Sequence, residues 1–253
     1  MKLFGIDASK YQGNIDFAKV KAAGVQFVML KAVSTNHTGL YIDPYFERNY
    51  AECKRLGIPV GAYYYTYAQT KAYADKELAL FKQAIGGKQF EYPLVVDVED
   101  NKLKPLSKAA LTDLIEYAVK TIESWHCYAM VYTYVSYSNT ELDMARLAKY
   151  DLWIAHYAAV CGYKGAHGMW QYSSTAKVPG VTGNCDVDYA YKDYASIIKK
   201  AGLNGFLPAA PTTTEASVWD SNGPWKIEGA TGDDKAALKA LCEEKGLTVT
   251  AAN

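Results

Sequence analysis

Short apolar runs of β type alternate with amphipathic helical stretches from the first residues to about residue 200, and this alternation restricts the fold more than any other feature. It is the pattern of βα units wound around a parallel sheet. Eight runs read as strands, covering residues 3–7, 26–32, 59–65, 94–99, 129–134, 152–157, 168–172 and 184–190. Helical patterns fill the early gaps, at residues 15–23, 44–56, 71–85, 108–125 and 138–148, with Pro44 near the start of one and Ser107 placed to cap another. The later gaps are too short for full helices. The expectation is an α/β fold, an irregular (β/α) TIM-like barrel that loses regularity in its second half.

Active sites of such barrels form at the C-terminal ends of the strands. Here the strand ends carry Asp7, Lys31, Tyr65, Asp97 with Glu99, Tyr134, Tyr157, Gln171 and Asp186. Residues two apart on a strand share a face, which pairs Tyr63 with Tyr65 and Trp153 with Tyr157. The same parity makes Asp97-Val98-Glu99, after the apolar run Tyr92-Pro93-Leu94-Val95-Val96, the most informative of these ends. Two carboxylates on one face raise each other's cost of ionisation, so one serves as an acid and the other as a charge. The plain alternative is that both acids only open the loop Glu99-Asp100-Asn101-Lys102.

Composition narrows the function. Lysine plus arginine and aspartate plus glutamate number 27 each, so no long-range attraction draws the chain to a polyanion, and nucleic acid is not expected as a partner. No window is apolar for the roughly 18 residues a membrane span needs, so no membrane partner is expected either. The N-terminus enters strand-like sequence without an export signal. Cys53, Cys127, Cys161, Cys185 and Cys242 are scattered and read as reduced, buried thiols; neither they nor His37, His126, His156 and His167 have metal-ligand spacing. The parity of His156 turns it to the helical layer. The 22 tyrosines suit a sugar, whose faces are apolar and whose edges are hydroxylated, although strands favour tyrosine anyway.

After Gly205 the periodicity stops. Residues 1–205 form the barrel domain, residues 206–218 a Pro/Thr-rich linker, and residues 219–253 a small C-terminal βαβ module. So small a unit falls below the size that usually folds unaided, and it is expected to dock on a partner or on the barrel.

Asp7-Ala8-Ser9-Lys10-Tyr11-Gln12-Gly13, Asp97-Val98-Glu99, Leu152-Trp153-Ile154-Ala155-His156-Tyr157, Trp170-Gln171-Tyr172-Ser173 and Asp186-Val187-Asp188-Tyr189 stand in that order on expected strands. The set resembles glycoside hydrolase family 25, the lysozymes of phage-endolysin and fungal type, over about residues 1 to 200. The resemblance implies an N-acetylmuramidase that cuts the β-1,4 bond between N-acetylmuramic acid and N-acetylglucosamine in bacterial peptidoglycan, without a cofactor. Glu99 would be the general acid. Asp97 would stabilise the developing positive charge or orient the substrate's N-acetyl group, and Asp7 and Asp186 would complete the acidic cluster. Lys31, Tyr63, Tyr65, Tyr134, Trp153, Tyr157, Trp170 and Gln171 are the candidate sugar contacts. After Lys31 the sequence Ala32-Val33-Ser34-Thr35-Asn36-His37 departs from the family's usual acidic residue and glycine, so substrate contacts there differ.

Two competitors remain. A chitinase-like or endo-N-acetylglucosaminidase barrel places a further aspartate two residues before the pair, where this chain has Val95. A non-catalytic peptidoglycan- or chitooligosaccharide-binding barrel would be expected to lose the acid, yet Glu99 is intact. A muramidase lacking its own export signal fits a phage or prophage endolysin, made in the bacterial host cytoplasm and released to the cell wall through a separate pore. In such an enzyme the module at residues 219–253 is expected to bind the wall, with self-association into a homo-oligomer as the other reading.

Overall fold

The computed structural model describes residues 1–207. The chain begins with β1 (Leu3–Ala8), α1 (Phe17–Ala22) and a long β2 (Phe27–Asn36), which turns back as β3 (Gly39–Ile42) before α2 (Phe46–Leu56). Regular alternation follows: β4 (Val60–Tyr65), α3 (Lys71–Ile85), β5 (Leu94–Asp97), α4 (Lys108–Ser124) and β6 (Ala129–Tyr134). Then come two short helices, α5 (Val135–Thr140) and α6 (Met144–Leu147), and three strands with no helix between them: β7 (Asp151–Ala155), β8 (Met169–Ala176) and β9 (Cys185–Ala190). The last element is α7 (Tyr194–Lys200). The sheet runs β1-β9-β8-β7-β6-β5-β4-β2-β3, and pairing of β1 with β2 closes eight strands into a barrel with β3 outside.

The irregular (β/α) barrel is therefore the fold, with differences that local pattern could not reveal. Residues 33–42 form a hairpin beyond the expected strand end, because β2 runs on and pairs antiparallel with β3. The expected helix at residues 138–148 is two helices, the second opened by Asp143, whose Oδ1 accepts from the amides of Ala145 and Arg146 at 3.1 and 3.3 Å. The helix α7 lies beyond the last expected strand. Ser107 does cap α4, its Oγ accepting from Ala110 N at 3.2 Å. Among the thiols Cys53 and Cys185 are buried and Cys127 and Cys161 half-buried; Cys242, the module at residues 219–253 and all but the first two linker residues lie outside the described residues.

The most consequential difference is strand direction. Within the closed barrel the pairs that join β1, β2, β4, β5, β6, β7 and β8 are parallel, but β9 runs antiparallel to both neighbours, β8 and β1. Its beginning, not its end, lies at the rim where the parallel strands finish.

Two apolar layers follow from the period of two. Val28, Leu30, Val60, Ala62, Leu94, Val96, Val131 and Ile154 face outward beneath the helices, whereas Phe27, Met29, Tyr63, Val95, Met130, Tyr132, Trp153 and Met169 fill the interior. Phe27 stacks on Tyr92 with ring centroids 4.3 Å apart at the barrel floor. A Cβ on the neighbouring Gly5 would overlap the Phe27 ring. Asn204, buried at φ 55°, closes the same end by donating to the carbonyls of Phe90 and Tyr92 at 3.1 and 2.9 Å and accepting from Tyr128 N at 2.8 Å. Where no helix separates β8 from β9, aromatic rings cover the outer face: Tyr172 and Tyr189 stack at 4.4 Å, with Trp170 and Phe4 against them.

Candidate active site

Inward-facing strand residues and the segments just past the strand ends bring a polar set to one rim of the barrel, Glu99 lying beyond the end of β5 at Asp97 and Tyr157 beyond the end of β7 at Ala155. Asp7, Lys31, Tyr63, Asp97, Glu99, Tyr132, Trp153, Tyr157, Gln171 and Asp186 border a cleft of about 230 Å³ together with Ser9, Tyr11 and Gln12. Asp186 joins them from the start of the reversed strand β9, directly opposite Asp7 in the register. A second lobe of about 470 Å³ shares Glu99, Tyr132 and Tyr157 and is completed by Tyr134, Val135, Ser136, Ala155 and His156. Glu99 thus stands where the two lobes meet.

Most expected site residues assemble here. Tyr65 adjoins the cleft, its ring centroid 5.0 Å from Lys31 Nζ and its hydroxyl donating to Asp100 Oδ2 at 3.1 Å. Trp153 is buried beneath the cleft. Trp170 is the exception and must be removed from the candidate sugar contacts: its parity is opposite to that of Gln171, its ring is 95% buried in the outer layer, and its Nε1 donates to the His156 carbonyl at 2.9 Å. His156 also differs from expectation. The strand ends at Ala155, so parity no longer governs the next residue, and the His156 ring borders the second lobe with Nδ1 accepting from Gly162 N at 2.9 Å.

One acid was missed. Asp188 lies on the inward face of β9, fully buried, with Oδ1 accepting from Trp153 Nε1 at 2.9 Å and Oδ2 left without a hydrogen-bond partner. Its parity with Asp186 was the available signal. Asp97 is similar, 4% exposed with Oδ1 unpartnered. Around Asp7 the bonding is denser. Gln171 Nε2 donates to its Oδ2 at 2.7 Å and the Tyr63 hydroxyl to its Oδ1 at 3.4 Å, while Tyr132 and Tyr157 each donate to Gln171 Oε1 at 2.9 Å.

Burial pushes every acid of the cluster above the ordinary carboxylate range. For Asp97 the Glu99 charge adds to burial, and for Asp7 the Asp186 charge does; Asp188 is raised by burial and then by Asp7. Glu99 is raised by burial against the pull of Lys31 and of the Tyr132 hydroxyl, and Asp186 by burial against Lys31. Lys31 is the single cation lining the cleft among the described residues, and its charge opposes the rise at Asp7, Asp97, Glu99 and Asp186. The cluster can hold protons at a pH where free carboxylates have lost them, which is what protonation of a leaving oxygen requires. Among the described residues no group of three or more His, Cys, Asp or Glu side chains is arranged to hold a metal ion, and no helix is long and apolar enough to cross a membrane.

A barrel with an acid-lined rim is shared by many hydrolases of sugars, and comparison with known proteins narrows the class. The family model for glycosyl hydrolases family 25 matches residues 6–181. Lysozyme M1 of Streptomyces globisporus is 30% identical over 202 residues, covering 72% of this chain and 65% of that protein. The crystal structure of the bacterial lysozyme from Streptomyces coelicolor has a TM-score of 0.66 at 28% identity, covering 80% of this chain and 96% of that one. That of the modular autolysin LytC from Streptococcus pneumoniae, in complex with a synthetic peptidoglycan ligand, has a TM-score of 0.68 at 26% identity, covering 75% of this chain and 47% of that one. The chain belongs to glycosyl hydrolases family 25, the lysozyme family, and is a glycoside hydrolase.

Proposed function

We propose that the chain is an endolysin-type 1,4-β-N-acetylmuramidase acting on bacterial cell-wall peptidoglycan, with Glu99 as general acid. The observation that carries this reading is the position of Glu99, raised by burial and standing between two lobes of one cleft, where the oxygen joining two sugars would lie. A glycosidic bond breaks when that oxygen is protonated while negative charge or a neighbouring nucleophile supports the oxocarbenium-like centre. Asp97 serves the second need. Its buried, unpartnered Oδ1 suits the N–H of the substrate's acetamido group, which favours attack by the acetamido oxygen over attack by Asp97 itself. Asp7 and Asp186, with Asp188 beneath, hold the glycone and keep the cluster partly protonated. Lys31, Tyr63, Tyr65, Tyr134, Tyr157 and Gln171 contact the sugars, and Trp153 supports them from below.

The test is loss of turbidity of purified Gram-positive walls, with identification of the new reducing ends. Glu99→Gln should be slower by on the order of a hundredfold or more, the usual contribution of a general acid. Full activity in that variant, or new ends on N-acetylglucosamine, would overturn the assignment. A covalent sugar trapped on a protein carboxylate in an Asp97 variant would remove acetamido assistance. For residues 219–253 the proposal stays with wall binding; a deletion that changed neither wall retention nor solution mass would reject both wall binding and self-association.

A further inference from the structure

Two phenols converge on one amide oxygen beside Glu99. Tyr132 and Tyr157 both donate to Gln171 Oε1 at 2.9 Å, and the Gln171 amide donates onward to Asp7 at 2.7 Å. Tyr132, 6% exposed, also borders both lobes of the cleft beside Glu99, and its hydroxyl favours the ionised form of that acid. A phenol carries one hydrogen. Tyr132 can therefore satisfy Gln171 or Glu99 at a given moment, and the donation from Tyr157 leaves Gln171 Oε1 with a partner when Tyr132 turns away.

We propose that Tyr132 is a positioning residue that donates to Gln171 while Glu99 holds its proton and turns that donation to the Glu99 carboxylate as the proton passes to the leaving glycosidic oxygen. This rests on the reading of Glu99 as general acid and adds how its conjugate base is held. The bookkeeping is closed: the Glu99 proton ends on the leaving oxygen as the C–O bond breaks, Tyr132 keeps its own hydrogen, and the reverse rotation accompanies return of a proton from the attacking water. Burial, with the charges of Glu99 and Asp97 added to it, lifts the Tyr132 phenol well above its ordinary value, so it stays a donor throughout. A hydrogen bond to an ionised acceptor is roughly twice as strong as a neutral one. The contact thus strengthens only as Glu99 ionises, which is the condition for accelerating the step.

Other groups also face Glu99. Asp97 and Asp100 adjoin it in sequence, Asp186 reaches it from β9, and Lys31 from β2. Phenols surround it as well, Tyr65 from β4, Tyr134 from β6, Tyr137 from α5 and Tyr157 after β7, with the His156 ring in the same lobe. All of these remain in place in a Tyr132 variant, so a change in its pH profile reports the missing hydroxyl.

The experiment compares kcat, KM and pH–rate profiles of wild type, Tyr132→Phe and Tyr157→Phe on soluble peptidoglycan strands, with melting curves for each. Without the Tyr132 bond the Glu99 carboxylate is harder to form, so Glu99 keeps its proton to higher pH. Tyr132→Phe should lose about tenfold or more in kcat, the order expected for a hydrogen bond to a charged group, with little change in KM and with the upper limb moved to higher pH. Tyr157→Phe should move that limb less. Replacing Tyr132 by 3-fluorotyrosine, the same shape and a stronger donor, should move it down and keeps the test available if the Phe variant does not fold. An unmoved limb in Tyr132→Phe, or an equal or larger movement in Tyr157→Phe, would overturn the proposal. Activity retained in Glu99→Gln would instead bring down the acid assignment itself.

Discussion

Asp188 is the residue whose environment is least explained by folding alone: a fully buried carboxyl with one oxygen held by Trp153 and the other without a partner. Its folded-state pKa is raised well above the ordinary value by burial. A carboxyl raised in this way contributes stability fully below the unfolded value of about 3.9, and the contribution is lost as pH rises through the folded pKa. Asp188→Asn keeps an acceptor for Trp153 and carries no titration. Its melting temperature should therefore exceed that of wild type at pH 7, by a margin that shrinks toward pH 4; an equal margin at both would show that Asp188 does not titrate. At this scale much was legible. Asp7, Asp97 and Gln171 follow from strand parity, and the same rule separates Trp170 from Gln171 and joins Asp188 to Asp186. Glu99 instead reaches the rim from the segment after β5, which ends at Asp97 rather than at the expected residue 99. Which acids are desolvated was not legible, because burial depends on neighbours contributed by distant strands.

Elements position the site through their ends. The loop after β4, which follows Tyr65, is tied to α3 by Glu77, a fully buried carboxyl accepting from Thr66 Oγ1 at 2.6 Å and from Tyr67 N at 2.8 Å. Burial pushes Glu77 up to about 7 against both hydrogen bonds. Removing the acceptor in Glu77→Ala leaves buried donors unsatisfied and should cost about 2–4 kcal/mol in urea unfolding. Glu77→Gln still accepts from Tyr67. Because wild type loses the stability tied to this group as pH rises from the ordinary glutamate value through about 7, any deficit of the Gln variant should shrink between pH 5 and 8. A deficit constant across that range would show that Glu77 does not titrate there. Most elements are visible in their periodicity, as with the Ser107 cap and helix α4. The hairpin of β2 and β3 was not, since antiparallel pairing beyond Lys31 depends on partners rather than on a run of apolar residues, and β2 changes register against β4 between Lys31 and Val33.

For the whole molecule the decisive event is closure of the barrel, which needs β1 to lie against both β2 and β9. Gly5 permits the close approach of the Phe27 ring at the floor. Gly5→Ala should destabilise the fold by about 1–3 kcal/mol through overpacking, measured by denaturant unfolding, and Phe27→Leu in the same chain should recover part of that loss. An additive loss in the double variant would separate the two residues. Closure also gathers acids that lie as far apart in sequence as Asp7 and Asp186 into one desolvated cleft.

The sequence by itself determined the βα alternation, the inward parity of each strand and the residue types available at the rim, because strand and helix periods are local properties of the chain. Tertiary structure alone decided that β9 runs backward, that Asp186 reaches the rim from a strand's beginning, and that the acids lose enough water to retain protons. Direction, register and desolvation arise from contacts between segments more than a hundred residues apart, such as the bond from Gln171 to Asp7, and no local pattern encodes them.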